Sequence, residues 1–276
     1  MTSTVSSFSG VGGTTIEYDV HEPDGPPEGL LLVAHGLGEH RGRYQHVADR
    51  FTALGLRVAI PDHRGHGRSG GPRCDTRDVS EFTADLETLR QRTLVEGAPT
   101  YLLGHSMGGL IALDYALDHQ ADLAALMLSG PLVLPGEDQP PWLVAIAKVL
   151  GKVVPTLGTL ALDPKSVSRD PAVVAAYEAD PLNFHGKVKA GTGAALLSRL
   201  QTFPSRLPSL TLPLLVMHGE KDKLTNPEGS KLVNELAGSS DKTLKIYDGL
   251  FHEIFNEPEQ DQVLTDTTSW LSERMS

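Results

Sequence analysis

The sequence predicts an α/β fold: a mostly parallel central sheet flanked by helices, with a helical cap inserted after the sixth strand. Three observations carry this expectation. Short continuous apolar runs, such as Leu30-Leu31-Leu32-Val33-Ala34, fit strands buried on both faces. They alternate with segments whose apolar residues recur at helical spacing. The alternation then stops between Pro131 and Pro208, where no strand pattern is convincing, and resumes afterwards.

Residues 5–8 and 14–20 read as two early strands split by Gly12-Gly13. Residues 30–35 form a third strand that ends in glycines. Residues 43–54 show helical spacing through Tyr44, Val47, Phe51 and Leu54. A fourth strand follows at 57–61. Residues 79–95 read as a helix with Phe82, Leu86, Leu89 and Thr93 on one face. Residues 100–104 form the fifth strand, 106–119 a helix and 123–128 the sixth strand. Beyond the interruption, 212–218 and 243–247 are the last two strands, and 257–274 is the final helix. The resulting division is one α/β core from 1–130 and 209–276, carrying a helical cap or lid at 131–208. No internal repeat or low-complexity segment interrupts this plan.

The chain has 276 residues, 39% of them hydrophobic, enough for a sizeable core. Its formal net charge of −11 and sequence pI near 5.4 argue against nucleic acid as a partner, because phosphate binding needs clustered Lys and Arg. Cys74 is the only cysteine, so no intrachain disulfide forms, and it reads as incidental in a polar loop. No Lys or Arg precedes Arg41, and the longest apolar stretch, 142–162, is interrupted by Lys148, Lys152, Pro155 and Gly158. The expectation is a cytoplasmic protein without signal peptide or transmembrane segment. No H-E-x-x-H run or cysteine–histidine spacing appears, so neither a metal nor a cofactor is expected.

Gly104-His105-Ser106-Met107-Gly108 matches G-x-S-x-G. An apolar strand precedes it and a helix follows, the setting in which a serine on a sharp, strained turn projects its hydroxyl above a sheet as a nucleophile. A bare match would fit a helix-capping serine equally well, so the partners matter. A serine needs a base, and the base needs an orienting acid; in this strand–turn–helix arrangement they follow in the order Ser, Asp or Glu, His. Asp222 follows the seventh strand and is the preferred acid, with Glu220 as the rival. His252 follows the last strand and is the only histidine after His218, which makes it the base. The other histidines read as structural: His105 inside the elbow, His218 before a glycine turn, and His63 and His66 in a loop of arginines and glycines. For the oxyanion, the backbone N–H of Met107 and that of Leu37, in His35-Gly36-Leu37-Gly38 after the third strand, are the candidate donors.

Together, His35-Gly36-Leu37-Gly38-Glu39-His40, Gly42-Arg43-Tyr44, Asp62-His63-Arg64-Gly65-His66-Gly67 with Ser69, Gly104-His105-Ser106-Met107-Gly108-Gly109 and the 241–249 segment before His252 resemble monoacylglycerol lipases of the α/β-hydrolase superfamily. The resemblance spans nearly the whole chain and is weakest in the insertion. The single cysteine and the arginine-rich second run look bacterial, of an actinobacterial kind, rather than animal. The resemblance implies the α/β-hydrolase fold and the serine-esterase hydrolysis of monoacylglycerols to glycerol and a free fatty acid, through an acyl-enzyme on Ser106, Asp222 and His252. It also places Glu39 and Arg43 near the polar end of the substrate site and brings in Tyr177, which precedes Asp180-Pro181-Leu182. The animal enzymes carry an acidic residue one helical turn before that tyrosine to bind glycerol hydroxyls; this chain carries Val173, which leaves glycerol recognition to other groups.

An ester of a fatty acid needs an apolar tunnel. Trp142, Ala145, Ile146, Val149, Leu150 and Val153 follow one helical face, with Leu143, Val144 and Ala147 widening it and Lys148 and Lys152 as its polar edge. Ile146, Val149 and Leu150 are the candidate acyl contacts. A helix apolar on most sides is either packed on the core or turned to lipid, the latter giving peripheral membrane contact through the cap. The substrate expected is a monoacylglycerol or a similar lipid ester. A lysophospholipase or broad carboxylesterase uses the same machinery and remains the alternative. A non-catalytic ligand-binding protein on the same fold is the remote one, since every triad candidate is present in order.

Overall fold

The computed structural model describes residues 2–134 and 151–275. An eight-stranded sheet runs through it in the order β1-β2-β4-β3-β5-β6-β9-β10. The strands are β1 (Thr2–Ser9), β2 (Thr15–Glu22), β3 (Gly29–Ala34), β4 (Leu56–Pro61), β5 (Thr100–His105), β6 (Ala125–Ser129), β9 (Leu214–Gly219) and β10 (Lys242–Tyr247). The β1–β2 and β2–β4 joints are antiparallel and all others parallel. This is the α/β-hydrolase arrangement.

The continuous apolar runs are explained by burial on both faces. Leu30 and Leu32 of β3 pack on one side with Leu102, Leu126, Leu128, Leu214 and Val216. Leu31 and Val33 face the other side with Tyr101, Leu103, Met127, Leu215 and Met217. Neighbouring residues thus enter opposite cores, as the two-residue period of a strand requires. Helices α2 (Ser80–Thr93) and α3 (Met107–His119) cover the first face; α1 (Gln45–Thr52) and the C-terminal helix Gln260–Ser272 cover the second.

Two local expectations change. The helix expected over 43–54 divides into a 3₁₀ turn, Arg41–Tyr44, and α1; it stops because Gly55 takes a left-handed φ of +84°, a conformation that ends helices. The inserted segment is not purely helical. Besides the helices Pro171–Ala179 and Ala190–Leu200 it holds β7 (Gly158–Ala161) and β8 (Lys187–Lys189), an antiparallel ribbon closed by Thr159 Oγ1 donating to Val188 O at 2.8 Å. Strands of four and three residues are too short to show a period. Trp142, Lys148, Ile146, Val149 and Leu150, with the rest of 135–150, lie outside the described residues. No helix among the described residues is long and apolar enough to cross a membrane.

Candidate active site

Loops leaving the carboxyl ends of the parallel strands converge on one place, as is usual for open α/β sheets. They are the loop after β3, the β5–α3 turn, Gly130 after β6, Asp222 after β9 and His252 after β10.

Ser106 stands at the β5–α3 turn with φ 57° and ψ −120°. For a residue with a Cβ this is sparsely populated backbone, costing about 1–3 kcal/mol. Three hydrogen bonds hold it there: Ser106 N–H to Ser129 O at 3.0 Å, and Leu132 and Leu110 N–H to Ser106 O at 2.9 and 3.2 Å. The flanking glycines follow from close approach. A Cβ on Gly108 would lie 2.0 Å from Ala34 O, and one on Gly104 would lie 2.4 Å from Gly108 O. The turn closes only without those side chains.

His252 Nδ1 lies 2.6 Å from Asp222 Oδ2. Its ring packs at 4.7 Å on that of His105, the residue before Ser106 in the chain. With the Nδ1 proton donated to Asp222 Oδ2, Nε2 is the free acceptor. Asp222 Oδ1 accepts from the N–H groups of Leu224 and Thr225 at 2.8 and 3.0 Å. Burial alone would raise the Asp222 carboxyl, but the charge of His252 and the hydrogen bonds from His218 and His252 hold it far below the usual carboxylate range. Burial alone would lower His252, yet Asp222 raises it above its ordinary value, with Glu253 and Glu39 adding to the effect. Glu220, the sequence rival, is 42% exposed at its side chain and accepts instead from Gly249 N–H. The structure brings Asp222, not Glu220, to His252.

The loop after β3 rests on Ser106. A Cβ on Gly36 would lie 2.7 Å from Glu39 Oε1 and 3.1 Å from Ser106 Cβ, so the loop packs this closely on Ser106 because position 36 has no side chain. Met107 opens α3, where the first N–H groups have no intrahelical partner. Glu39 is buried, and its Oε1 accepts from Gly36 N–H at 2.5 Å and Tyr44 OH at 2.8 Å. Its Oε2 accepts from Arg43 at 2.9 Å. Burial pushes its carboxyl up, but Arg43, His105 and His35 outweigh that and bring it down to about 2. Both oxygens are engaged inside the protein, so Glu39 scaffolds this loop. Arg43 also lies 4.9 Å over the Tyr177 ring. Tyr177 is buried on the cap helix Pro171–Ala179, one turn beyond the half-buried Val173. The cap is pinned to the same loop: Phe184 N–H donates to Gly38 O at 2.8 Å, and His40 Nε2 meets Asp180 Oδ2 at 2.9 Å.

Several neighbours were not evident in the sequence. Glu253 binds Arg43, and only its place beside His252 could have signalled it. His218 touches Asp222, and four-residue spacing is its only trace. His63 and His66 are buried in their loop, and with His35 they form a cluster whose ring centroids are 4.4 to 6.5 Å apart. Cys74 is buried too, with Sγ 3.4 Å from His66 Nε2, and burial pushes its thiol up to about 12. Among the described residues no group of three or more His, Cys, Asp or Glu could hold a metal ion.

A family model described as serine aminopeptidase, S33, matches residues 25–259. A monoacylglycerol lipase of Mycolicibacterium smegmatis is 51% identical over 96% of this chain and 95% of its own. The human monoglyceride lipase is 38% identical over 92% of this chain and 85% of its own. Among solved structures, a monoacylglycerol lipase of Paleococcus ferrophilus superposes with a TM-score of 0.84 at 30% identity, covering 99% of this chain and all of that one. A soluble variant of the Saccharomyces cerevisiae monoglyceride lipase, in complex with a substrate analog, reaches 0.87 at 26% identity, covering 99% of this chain and 95% of that one.

Proposed function

Because the chain belongs to the serine aminopeptidase S33 family and, within it, to the monoacylglycerol lipases, we propose that it hydrolyses monoacylglycerols to glycerol and a free fatty acid. The observation that carries the substrate assignment is the 51% identity spread over 96% of the chain.

The chemistry follows from the site. Ser106 Oγ attacks the ester carbonyl carbon while His252 Nε2 takes its proton. Asp222 keeps the Nδ1 proton in place and stabilises the imidazolium. The N–H groups of Leu37 and Met107 receive the oxyanion, Met107 with the added field of a helix N-terminus. When the tetrahedral intermediate collapses, the carbonyl–alkoxy bond breaks and His252 returns the proton to the departing glycerol oxygen. Water then attacks the acyl-serine by the same route and the fatty acid leaves.

Residues 131–208 act as the cap over this site. Its pins to Gly38 and His40, and Tyr177 against Arg43, close the polar end. Val153, Val154 and Leu157 are exposed on the cap beside the exposed Lys152. Exposed apolar side chains with a lysine fit docking on a lipid surface. A cytoplasmic location goes with this reading.

The test is a comparison of turnover on monoacylglycerols and lysophospholipids. Monoacylglycerol should be preferred by at least about tenfold in kcat/KM, and Ser106→Ala should abolish both activities. A preference for lysophospholipid overturns the substrate assignment.

A further inference from the structure

His218 sits near the end of β9, four residues before Asp222, and is wholly buried. Its Nε2 lies 3.0 Å from Asp222 Oδ2, the oxygen that His252 Nδ1 reaches at 2.6 Å. Its Nδ1 lies 2.6 Å from Ser230 Oγ, equally buried on the helix Pro227–Leu236. From this arrangement we propose that His218 is a second positioning histidine of the catalytic aspartate, with the Ser230 hydroxyl fixing its tautomer. The proposal rests on the triad reading above.

The tautomer follows from the acceptors. Nε2 faces two oxygens, Asp222 Oδ2 at 3.0 Å and Thr225 Oγ1 at 3.2 Å. A bare Nε2 could accept from the Thr225 hydroxyl but would still hold its lone pair against the carboxylate, in a site where water does not screen the repulsion. The proton is therefore placed on Nε2, directed between Oδ2 and Thr225 Oγ1. In the uncharged ring Nδ1 is then an acceptor, and the Ser230 hydroxyl is the donor that meets it. The chain of bonds runs from Ser230 O–H to His218 Nδ1, and from His218 Nε2–H to Asp222 Oδ2.

This changes what Thr225 does. Its hydroxyl lies 2.8 Å from Asp222 Oδ2, 3.0 Å from Gly130 O, 3.2 Å from His218 Nε2 and 3.3 Å from His252 Nδ1; with both ring nitrogens carrying protons, the two oxygens are the acceptors for its single proton. With His218 serving Oδ2, the Thr225 proton is available to Gly130, which also lies against the pair: a Cβ there would come within 3.3 Å of His252 Nδ1 and 3.4 Å of Asp222 Oδ2. His218 thus sets the rotation of the Asp222 carboxylate and lets Thr225 anchor the loop after β6. An ordinary core histidine would satisfy itself on backbone carbonyls, as His105 does on Ser129 O at 3.0 Å.

The experiment compares His218→Leu, His218→Gln and Ser230→Ala in the full chain, with Asp222→Asn and Ser106→Ala as controls. It reads kcat and KM on a soluble ester, the rate of fluorophosphonate labelling and the His252 Nδ1 proton resonance. A hydrogen bond to a charged group is worth about tenfold or more, so His218→Leu should lose that much in kcat and labelling with KM held within about twofold. His218→Gln keeps an N–H donor and should recover most of the loss. Ser230→Ala should cost about threefold and move the Nδ1 resonance. Parent-like kcat in His218→Leu overturns the proposal. So does an equal loss in the Leu and Gln variants, which marks packing alone. If His218→Leu does not fold, an unchanged resonance and kcat in Ser230→Ala overturn it. Full labelling in Asp222→Asn would instead remove the triad reading, which separates the two failures.

Discussion

Arg43 holds Glu253 through both ends of its guanidinium, Nη1 to Oε1 and Nη2 to Oε2, each at 2.6 Å. Glu253 is the residue after His252, and Arg43 lies six residues after Leu37. One nearly buried bidentate pair therefore ties the loop of the proposed base to the loop of the proposed oxyanion donor. Removing one partner of such a pair leaves a buried charge behind. Arg43 would keep Glu39, so Glu253→Ala should cost less than an isolated pair, about 2–3 kcal/mol. It should also lower kcat/KM by about tenfold or more as the His252 loop loosens. Urea unfolding and steady-state rates measure both; parent-like values in each would show that the clamp does not matter.

The same site predicts a pH profile. His252 is raised above its ordinary value, and it must be uncharged to act as a base. Hence kcat/KM should fall as pH drops through a value above about 6.5. Asp222→Asn removes the charge that raises it, so the acid limb should move to lower pH while the plateau falls by about 10⁴. A limb that stays in place in Asp222→Asn would show that another group sets it.

Strain at the proposed nucleophile, Ser106, is separable from chemistry. Ser106→Gly and Ser106→Ala both lose the hydroxyl and should be inactive. Glycine adopts φ 57°, ψ −120° with little strain, whereas alanine keeps the clash. After the larger unfolded-state entropy of glycine is subtracted, Ser106→Gly should be about 1 kcal/mol more stable than Ser106→Ala. Equal unfolding midpoints would mean the turn relaxes without the hydroxyl.

How much of this was readable beforehand depended on whether the information was local. The strands of β3, β5, β6 and β9 are continuous apolar runs because both faces are buried, and that pattern survives in one dimension. The elbow is likewise local, since Gly104, Ser106 and Gly108 meet their constraints within a few residues. The Arg43–Glu253 pair spans 210 positions and the His218–Asp222 contact depends on how a loop turns back on its strand. Neither leaves a periodic trace. The ribbon β7–β8 was hidden by its brevity, and the packing of His63 and His66 on His35 by its dependence on two loops meeting.

That histidine cluster makes an acid-stability prediction. Burial, first of all, lowers His35 to about 4 and His66 to about 3, and places His63 well below its ordinary value. In the unfolded chain each would titrate near 6.5. Between those limits the unfolded state binds more protons, so the stability is complete above about 6.5 and declines as pH falls, by about 1.4 kcal/mol per pH unit for each fully buried neutral histidine. His63 is the one to change: its Nε2 has no hydrogen-bond partner among the described residues, and its ring packs at 5.5 Å on Phe82. His63→Phe should flatten the fall in urea midpoint between pH 7 and 4.5. An unchanged slope would assign the acid loss to the carboxylates instead.

The cap offers a test of where the enzyme works. Val153, Val154 and Leu157 are 72%, 44% and 44% exposed, next to Lys152 and on the segment that joins β7, whose Gly158 lies against Lys187. Moving an aliphatic side chain from water to an apolar surface is worth roughly 1.5–3 kcal/mol when complete. Replacing all three by serine should therefore weaken vesicle binding by at least about tenfold even if each inserts only in part. On the proposed docking face the exposed Lys152 would add attraction to anionic lipid that salt screens, so binding of the parent to anionic vesicles should fall as ionic strength rises. Turnover of monoacylglycerol presented in vesicles should drop with the binding, while turnover of a short soluble ester should stay within about twofold, since none of the three touches the triad. Equal losses on both substrates would place these side chains in the fold of the cap rather than at a lipid surface.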